Sequence, residues 1–193
     1  GTAVKYDPST LFAAGTHQAL AKGEEIGRRF HSAPVVRLSD AKQMQLGHAA
    51  EADARWRIYA FAGKADGSKP GSAIHQLADW LEKDPKSPVV KHTRQGEDID
   101  AVIDLRAVFQ QTFDQLAYEH MPSLLKPKTG KLGLQDHEKV FCVDHKGAGD
   151  IFDMRGIDRD KGCIIIVRPD QYVANVLPLD GFDELAAFFA GIL

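Results

Sequence analysis

The residues whose types could do chemistry are few and loosely spaced. Cys142 and Cys163 are the two cysteines of the chain. They form no Cys-x-x-Cys pair and are too few to staple a secreted scaffold. Free cysteine is among the most buried residue types, so both are expected as small apolar side chains in the core, and nothing in the sequence supports a disulfide between them. Asp136-His137-Glu138, followed by Cys142, Asp144 and His145, holds enough ligand types to suggest zinc, because Cys and His three residues apart can converge on one ion. Four ligands with repeated short spacing are absent, so these side chains are expected to face solvent and no metal site is assigned. Gly147-Ala148-Gly149 lacks the third glycine and the strand-to-helix setting of a phosphate cradle, and reads as a turn. There is no Gly-x-Ser-x-Gly elbow, and the acid pairs Asp150 with Asp153 and Asp158 with Asp160 read as solvated surface charge. Arg168-Pro169-Asp170 reads as a turn fixed by proline, with Arg168 paired to nearby acids. Motif by motif, no catalytic, cofactor-binding or metal-ligating residue is assigned.

The elements that would position such residues follow from periodicity. Trp56 to Phe61 is a β-branched and aromatic run closed by the loop from Gly63 to Gly71, the pattern of a central strand. Ile74, Leu77, Ala78 and Leu81 then fall at i, i+3, i+4 and i+7, with Ser72 placed as N-cap and Pro85 beyond the end, the pattern of a helix. From Ile99 to Arg106 apolar residues alternate with Asp100, Asp104 and Arg106, which predicts a strand with one buried face. Phe113 to Glu119 reads as a short helix stopped by Pro122. Residues 126–162 read as loop except for Val140-Phe141-Cys142-Val143. Cys163 to Val167 and Tyr172 to Val176 read as a hairpin, and Asp180 as the cap of a last helix with Phe182, Leu185, Ala186 and Phe189 on one stripe. Trp56, Tyr59, Phe61 and Trp80 sit at strand or helix spacing and are expected in the core.

Ahead of these, residues 1–34 show no sustained period and read as a wrapping arm, with a short helix around Thr16 to Lys22. Val35 to Leu38 and Met44 to His48, joined by Ser39 to Lys42, read as an added hairpin. The core order of strand, helix, strand, helix, antiparallel hairpin and helix is that of an α/β thioredoxin-like fold: a mixed central sheet flanked by helices, spanning residues 35–193. Redox work on that fold needs a thiolate at the N-terminus of the first core helix, where the helix dipole lowers the thiol pKa. Gly71-Ser72-Ala73-Ile74 stands there instead. The proline that shapes the substrate groove before the hairpin is also replaced, by Lys161-Gly162.

Composition narrows the classes further. With 193 residues, 44% hydrophobic and 26% charged, the chain can bury one core. A formal net charge of -3, with scattered Lys and Arg, excludes a broad basic field for nucleic acid. No apolar run approaches the roughly 20 residues of a membrane helix, so no membrane partner is expected and a cytoplasmic location is. The start at Gly1-Thr2-Ala3 rather than Met suggests a piece of a longer polypeptide.

Several runs, taken in order, resemble one family. Arg29-Phe30-His31-Ser32-Ala33-Pro34-Val35-Val36-Arg37-Leu38, Gln45-Leu46-Gly47-His48 and Arg55-Trp56-Arg57-Ile58-Tyr59-Ala60-Phe61 are similar to the C-terminal part of phenol 2-monooxygenase and 3-hydroxybenzoate 4-monooxygenase. So are Asp98 to Asp104, Glu138 to Phe141, Ile151 to Asp158 and Val167 to Val173. The resemblance covers nearly the whole chain. It implies a thioredoxin-like domain that follows the FAD-binding and substrate domains of flavoprotein hydroxylases of phenols and is associated with homodimer formation. In such parents NADPH reduces FAD and oxygen is inserted beside an existing ring hydroxyl. FAD and NADPH would therefore belong to the parent enzyme and no cofactor to this chain, which is expected to be a non-catalytic accessory and dimerisation domain. The alternative is a stand-alone thioredoxin-like redox or scaffold protein.

Overall fold

The unbroken run from Trp56 to Phe61 has no polar face to offer water, and in the computed structural model, which describes residues 3–144 and 149–193, all six of its residues are buried. In chain order the elements are β1 (Pro34–Arg37), β2 (Lys42–Gln45), β3 (Trp56–Phe61), α1 (Ala73–Lys83), α2 (Pro88–His92), β4 (Ile103–Phe109), β5 (Lys128–Thr129), β6 (Leu134–Gln135), β7 (Val140–Cys142), α3 (Ile151–Met154), β8 (Cys163–Val167), β9 (Val173–Leu177) and α4 (Phe182–Ala190). Seven strands form one sheet in the order β2-β1-β7-β4-β3-β8-β9, and β5 and β6 form a separate hairpin. β3 and β4 are parallel and joined through α1, β8 is antiparallel to β3, and β9 to β8. The β4-β3-β8-β9 block with its helices after β3 and β9 is the thioredoxin-like arrangement expected from the sequence. β7, parallel to β4, carries the sheet outward to the β1–β2 hairpin.

Both faces of the sheet are covered. On one, Trp56, Ile58, Ala60, Leu105 and Ala107 meet Ile74, Leu77 and Leu81 of α1 and Leu185 and Phe189 of α4. On the other, Tyr59, Phe61, Val108, Phe141 and Ile165 meet Ile151 and Phe152 of α3 together with Phe12, Ala21 and Ile26 from the N-terminal stretch. Each Leu, Ile, Val or Phe among them contributes about 1.5–3 kcal/mol when fully buried. The N-terminal stretch therefore supplies core through Phe12, Ala21 and Ile26. It also lines the outer edge of β9: Ala13 N–H donates to Ala174 O (2.9 Å), Gly27 N–H to Val173 O (2.9 Å), and Val173 N–H to Arg28 O (2.8 Å). No helix among the described residues is long and apolar enough to cross a membrane.

Several expected boundaries move, each for a local reason. The second strand of the early hairpin is Lys42–Gln45 rather than Met44 to His48, because Leu46 turns inward, donates to Ala33 O (3.0 Å) and starts a 3-10 turn over Leu46–Ala49. The expected helix from Thr16 to Lys22 shrinks to a 3-10 turn at Gln18–Leu20. That from Phe113 to Glu119 is two 3-10 turns, the first closed by a Thr112–Gln115 capping box. The stretch read as loop contains β5, β6 and α3 besides β7; Asp150 caps α3 by accepting from Phe152 N (2.9 Å) and Asp153 N (3.2 Å). The last helix starts after Gly181, with no side-chain cap from Asp180.

The largest departure concerns β4. It begins at Ile103, and all seven of its residues are buried, so Asp104 and Arg106 do not face water as the alternation implies. Arg57 pairs with Asp104 across the β3–β4 register and Tyr59 with Arg106, on the face the N-terminal stretch covers. Asp104 lies 2.9 Å from Arg57 Nε, 2.8 Å from Arg106 Nε and 2.5 Å from Lys139 Nζ. Lys139 also meets Asp100 (2.7 Å) and Asp136 (3.3 Å), while Arg55 bridges Asp100 and Asp53, each at 2.7 Å. Burial alone would raise the Asp104 carboxyl, but the charges of Arg106, Lys139 and Arg57 outweigh it and hold the group below its ordinary value. Four cations thus meet four carboxylates, and the cluster carries no net charge into the interior.

Removing one member of a buried ion cluster leaves the others uncompensated, typically at a cost of about 3–5 kcal/mol. Asp104→Ala, which strands Arg57, Arg106 and Lys139, is expected to destabilise the chain by about that much in urea unfolding. A loss below about 1 kcal/mol, the scale of an exposed pair, would show that water reaches the cluster.

Candidate functional site

On this scaffold the place for thiol chemistry is the N-terminus of α1, reached from β3 by the loop through Gly63 and Gly71. Ser72 occupies the N-cap position, but its hydroxyl makes no capping bond. Asp66 caps the helix instead, from six residues upstream of Ser72. Its Oδ2 accepts from Ile74 N–H (2.9 Å) and its Oδ1 from Ser68 N–H (3.0 Å). The positive end of the helix dipole, which would favour a thiolate, is taken by a carboxylate. Beside it lies an open hollow of about 270 Å³ bordered by Gly63, Asp66, Ser72, Lys161 and Leu179. Where a groove-forming proline would stand, Gly162 adopts φ +66° with its Cα tucked against the end of β3, so that an added Cβ would lie 2.2 Å from Phe61 O. The local backbone requires glycine there.

Neither thiol is activated. Cys142, in β7, is buried and points its Sγ at Val36 O (3.4 Å). Burial first, then the charges of Asp114 and Asp144, push it up to about 12. Cys163 opens β8; burial, Glu24 and Asp158 push its thiol far up as well. Both cysteines are free, as buried apolar side chains would be.

The remaining expected positions have separate partners. His137 Nδ1 lies 3.0 Å from Tyr118 OH, Asp136 turns to Lys139, Glu138 to Arg37 (2.5 Å), and Asp144 accepts from Gln43 Nε2 (3.1 Å). His145, Gly147 and Ala148 lie outside the described residues, and among those described no three His, Cys, Asp or Glu side chains are grouped to hold a metal. The acid pairs are structural rather than merely solvated. Asp150 and Asp153 both bind Arg159, at 2.7 and 2.8 Å, and Asp158 accepts from the N–H groups of Asp160 and Lys161, both at 3.0 Å. Arg168 pairs with Asp170 (2.9 Å) as the turn suggests, and its guanidinium also lies 4.7 Å from the centre of the Phe12 ring.

One group has no signal in the sequence. Glu24, among glycines and charges, is fully buried beneath the N-terminal stretch. Its Oε2 accepts from His31 N–H (3.1 Å), and Arg155 Nε stands 3.5 Å from Oε1 without hydrogen-bond geometry. Burial raises its carboxyl from the ordinary 4.5 to about 8, against the opposing effects of His31 and Arg155.

Neither the N-terminus of α1 nor the cleft beside Tyr59 is open to a flavin. Free N–H groups at a helix N-terminus favour a pyrophosphate, and at α1 the Asp66 carboxylate already accepts from Ile74 N–H. The cleft between Phe30, Arg57, Tyr59 and Arg168 has about 10 Å³ of free volume, room for a water molecule and not for an aromatic ring.

Residues 4–193 match the family model described as phenol hydroxylase, C-terminal dimerisation domain. The chain is 52% identical over 194 residues to a 3-hydroxybenzoate 4-monooxygenase of Comamonas testosteroni, covering all of this chain and 30% of that protein. It is 33% identical over 197 residues to an FAD-dependent monooxygenase, terD, of Aspergillus terreus, covering all of this chain and 32% of that one. The chain thus spans less than a third of the length of these curated relatives. Among solved structures it resembles a putative protein disulfide isomerase from Bacteroides thetaiotaomicron at 11% identity and a TM-score of 0.46, over 86% of this chain and 87% of that one.

Two outcomes follow from the site. Asp66→Ala removes the cap of α1 and is expected to lower stability by about 1–2 kcal/mol in chemical denaturation, and an unchanged midpoint would show that the Ser72 hydroxyl takes over the cap. Glu24 binds its proton more tightly folded than unfolded, so its contribution is fully present below pH 4.5 and is lost as pH rises toward 8. Wild-type stability is expected to fall across that interval by on the order of a few kcal/mol more than that of Glu24→Gln. Parallel pH curves for the two proteins would refute this role.

Proposed function

We propose that this chain, which belongs to the phenol hydroxylase C-terminal dimerisation domain family, serves as the accessory and dimerisation domain of an FAD-dependent aromatic hydroxylase and carries no catalytic residue of its own. The observation that carries the reading is the helix tip, where the Asp66 carboxylate fills the position at which this fold would activate a thiol. The high pKa values of both buried cysteines point the same way. Reaction with the parent's phenolic substrate, use of NADPH to reduce FAD, and a cytoplasmic location are assigned to the longer protein. The relatives' names support the flavin and the monooxygenase class. In that protein the domain would pack against the FAD-binding and substrate domains, with residues 1–34 as an arm and 35–193 as the thioredoxin-like body.

The purified chain is expected to show no flavin absorbance after reconstitution with FAD and no NADPH oxidation with phenol or 3-hydroxybenzoate. Its thiols are expected to react with Ellman's reagent only on unfolding, and insulin is expected to stay oxidised. Bound flavin with substrate-dependent NADPH consumption would overturn the assignment, and rapid thiol reaction with insulin reduction would replace it by a redox enzyme.

A further inference from the structure

The two edges of the seven-stranded sheet are treated differently. The β9 edge is covered by the N-terminal stretch, which hydrogen-bonds to Val173 and Ala174. The β2 edge carries no further strand among the described residues. Leu46 N–H donates to Ala33 O, and alternation along the β1–β2 ladder then turns the peptide groups of Lys42 and Met44 toward β1 and that of Gln43 off the sheet. An open edge is a template for another strand, and proteins normally cover or charge it. Here Gln43, Met44 and Gln45 are uncharged, and a hollow of about 420 Å³ lies beside β2, bordered by Val36, Gln43, Phe113, Val143 and Asp144, the last accepting from Gln43 Nε2. Phe113 on its rim is 50% exposed.

We propose that β2 is the edge on which two copies of this chain pair, antiparallel and across a two-fold axis, so that each sheet continues the other. The proposal rests on the reading of the chain as a dimerisation domain, which supplies a second copy as the occupant. Two-fold symmetry perpendicular to a sheet pairs residues on the same face. Centred on Gln43, it lets each Gln43 N–H donate to the Gln43 C=O of the second copy. Lys42, the one charged side chain of β2, then stands opposite Met44 of the second copy rather than another lysine, so no like charges are opposed. Tyr6, near the described start, packs against Tyr172 beside the β9 edge, and β2 lies six strand spacings from that edge, roughly 29 Å.

The test is sedimentation of the chain with Gln43→Pro and Gln43→Ala, read beside amide hydrogen exchange. Proline removes an N–H that points away from β1 and has no partner among the described residues, whereas alanine keeps it. Gln43→Pro is expected to raise the dimer Kd about thirtyfold, two symmetry-related hydrogen bonds being lost, while Gln43→Ala dimerises like the wild type. In the wild type, exchange at Gln43 is expected to slow as concentration rises, a readout that needs no variant. If Gln43→Pro dimerises as tightly as the wild type, or Gln43 exchange is independent of concentration while the chain dimerises, the edge is not the interface and the dimerisation reading stands. The exposed Leu132 and Leu134 of the β5–β6 hairpin are then the next surface. If the wild-type chain is monomeric at every concentration, the inference and the reading beneath it both fail.

Discussion

Asp104 has no contact with water and three cations around it, and the architecture of this chain depends on that arrangement. A strand with Asp and Arg on one face would ordinarily leave that face in solvent. Here the charges neutralise one another across β3, β4 and the residue preceding β7, so the face can be closed. Once closed, it needs a covering layer, and the N-terminal stretch provides it with Phe12, Ala21 and Ile26. The ion cluster and the arm are thus parts of one solution. Without the cluster, covering the face would bury unpaired charge, and without the cover the apolar half of the same face, Phe61, Val108 and Phe141, would be open to water.

The same closure accounts for the state of the two thiols. A working thiol on this fold requires a partly exposed sulfur at a positive helix end. This chain has placed its sulfurs in strands under the covering layers and a carboxylate at the helix end. The Asp66 carboxylate meets the electrostatic demand of the α1 dipole by accepting from Ile74 N–H. What the scaffold then offers is surface and rigidity, which fits a domain that forms a minor fraction of its relatives' length.

Much of the fold was legible because its periodic segments are buried in simple ways. Trp56 to Phe61, the Ile74–Leu81 stripe, the Cys163–Val176 hairpin and the terminal Phe-rich helix each announce one partner surface, and the ordered runs of the family resemblance carried the rest. What was hidden depends on partners distant in sequence. Lys139 satisfies Asp104 across 35 residues, and nothing in an alternating Asp-x-Arg pattern distinguishes that from solvation. The cap of α1 comes from Asp66, although Ser72 stands in the position that capping statistics favour. Residues 126–162 looked like loop because Gly, Asp and Lys dominate their composition, yet the short β7 holds the hairpin to the sheet through only two registered pairs with β1. Glu24 carried no local signal at all, since its burial follows from a tertiary crossing in which Gly23 lies so close to Arg155 that a Cβ would meet its carbonyl oxygen at 2.7 Å.

That crossing also explains why the covered face could not host a redox thiol. Cys163 and Glu24 lie in the same sealed layer, and each group's ionised form raises the cost of ionising the other, on top of the burial that already disfavours both. A thiolate at Cys163 would need Glu24 protonated and a cation aimed at sulfur, but Arg155, the cation at hand, is directed to Glu24 and to the Ser32 carbonyl. Opening the layer to water would relieve the thiol but would also expose Phe61, Phe152 and Ile165 and break the arm's hydrogen bonds to β9. The burial of Cys163 and the covering arm are therefore coupled through one desolvated volume: within it, a thiolate and close packing compete for the same space, and packing has taken it.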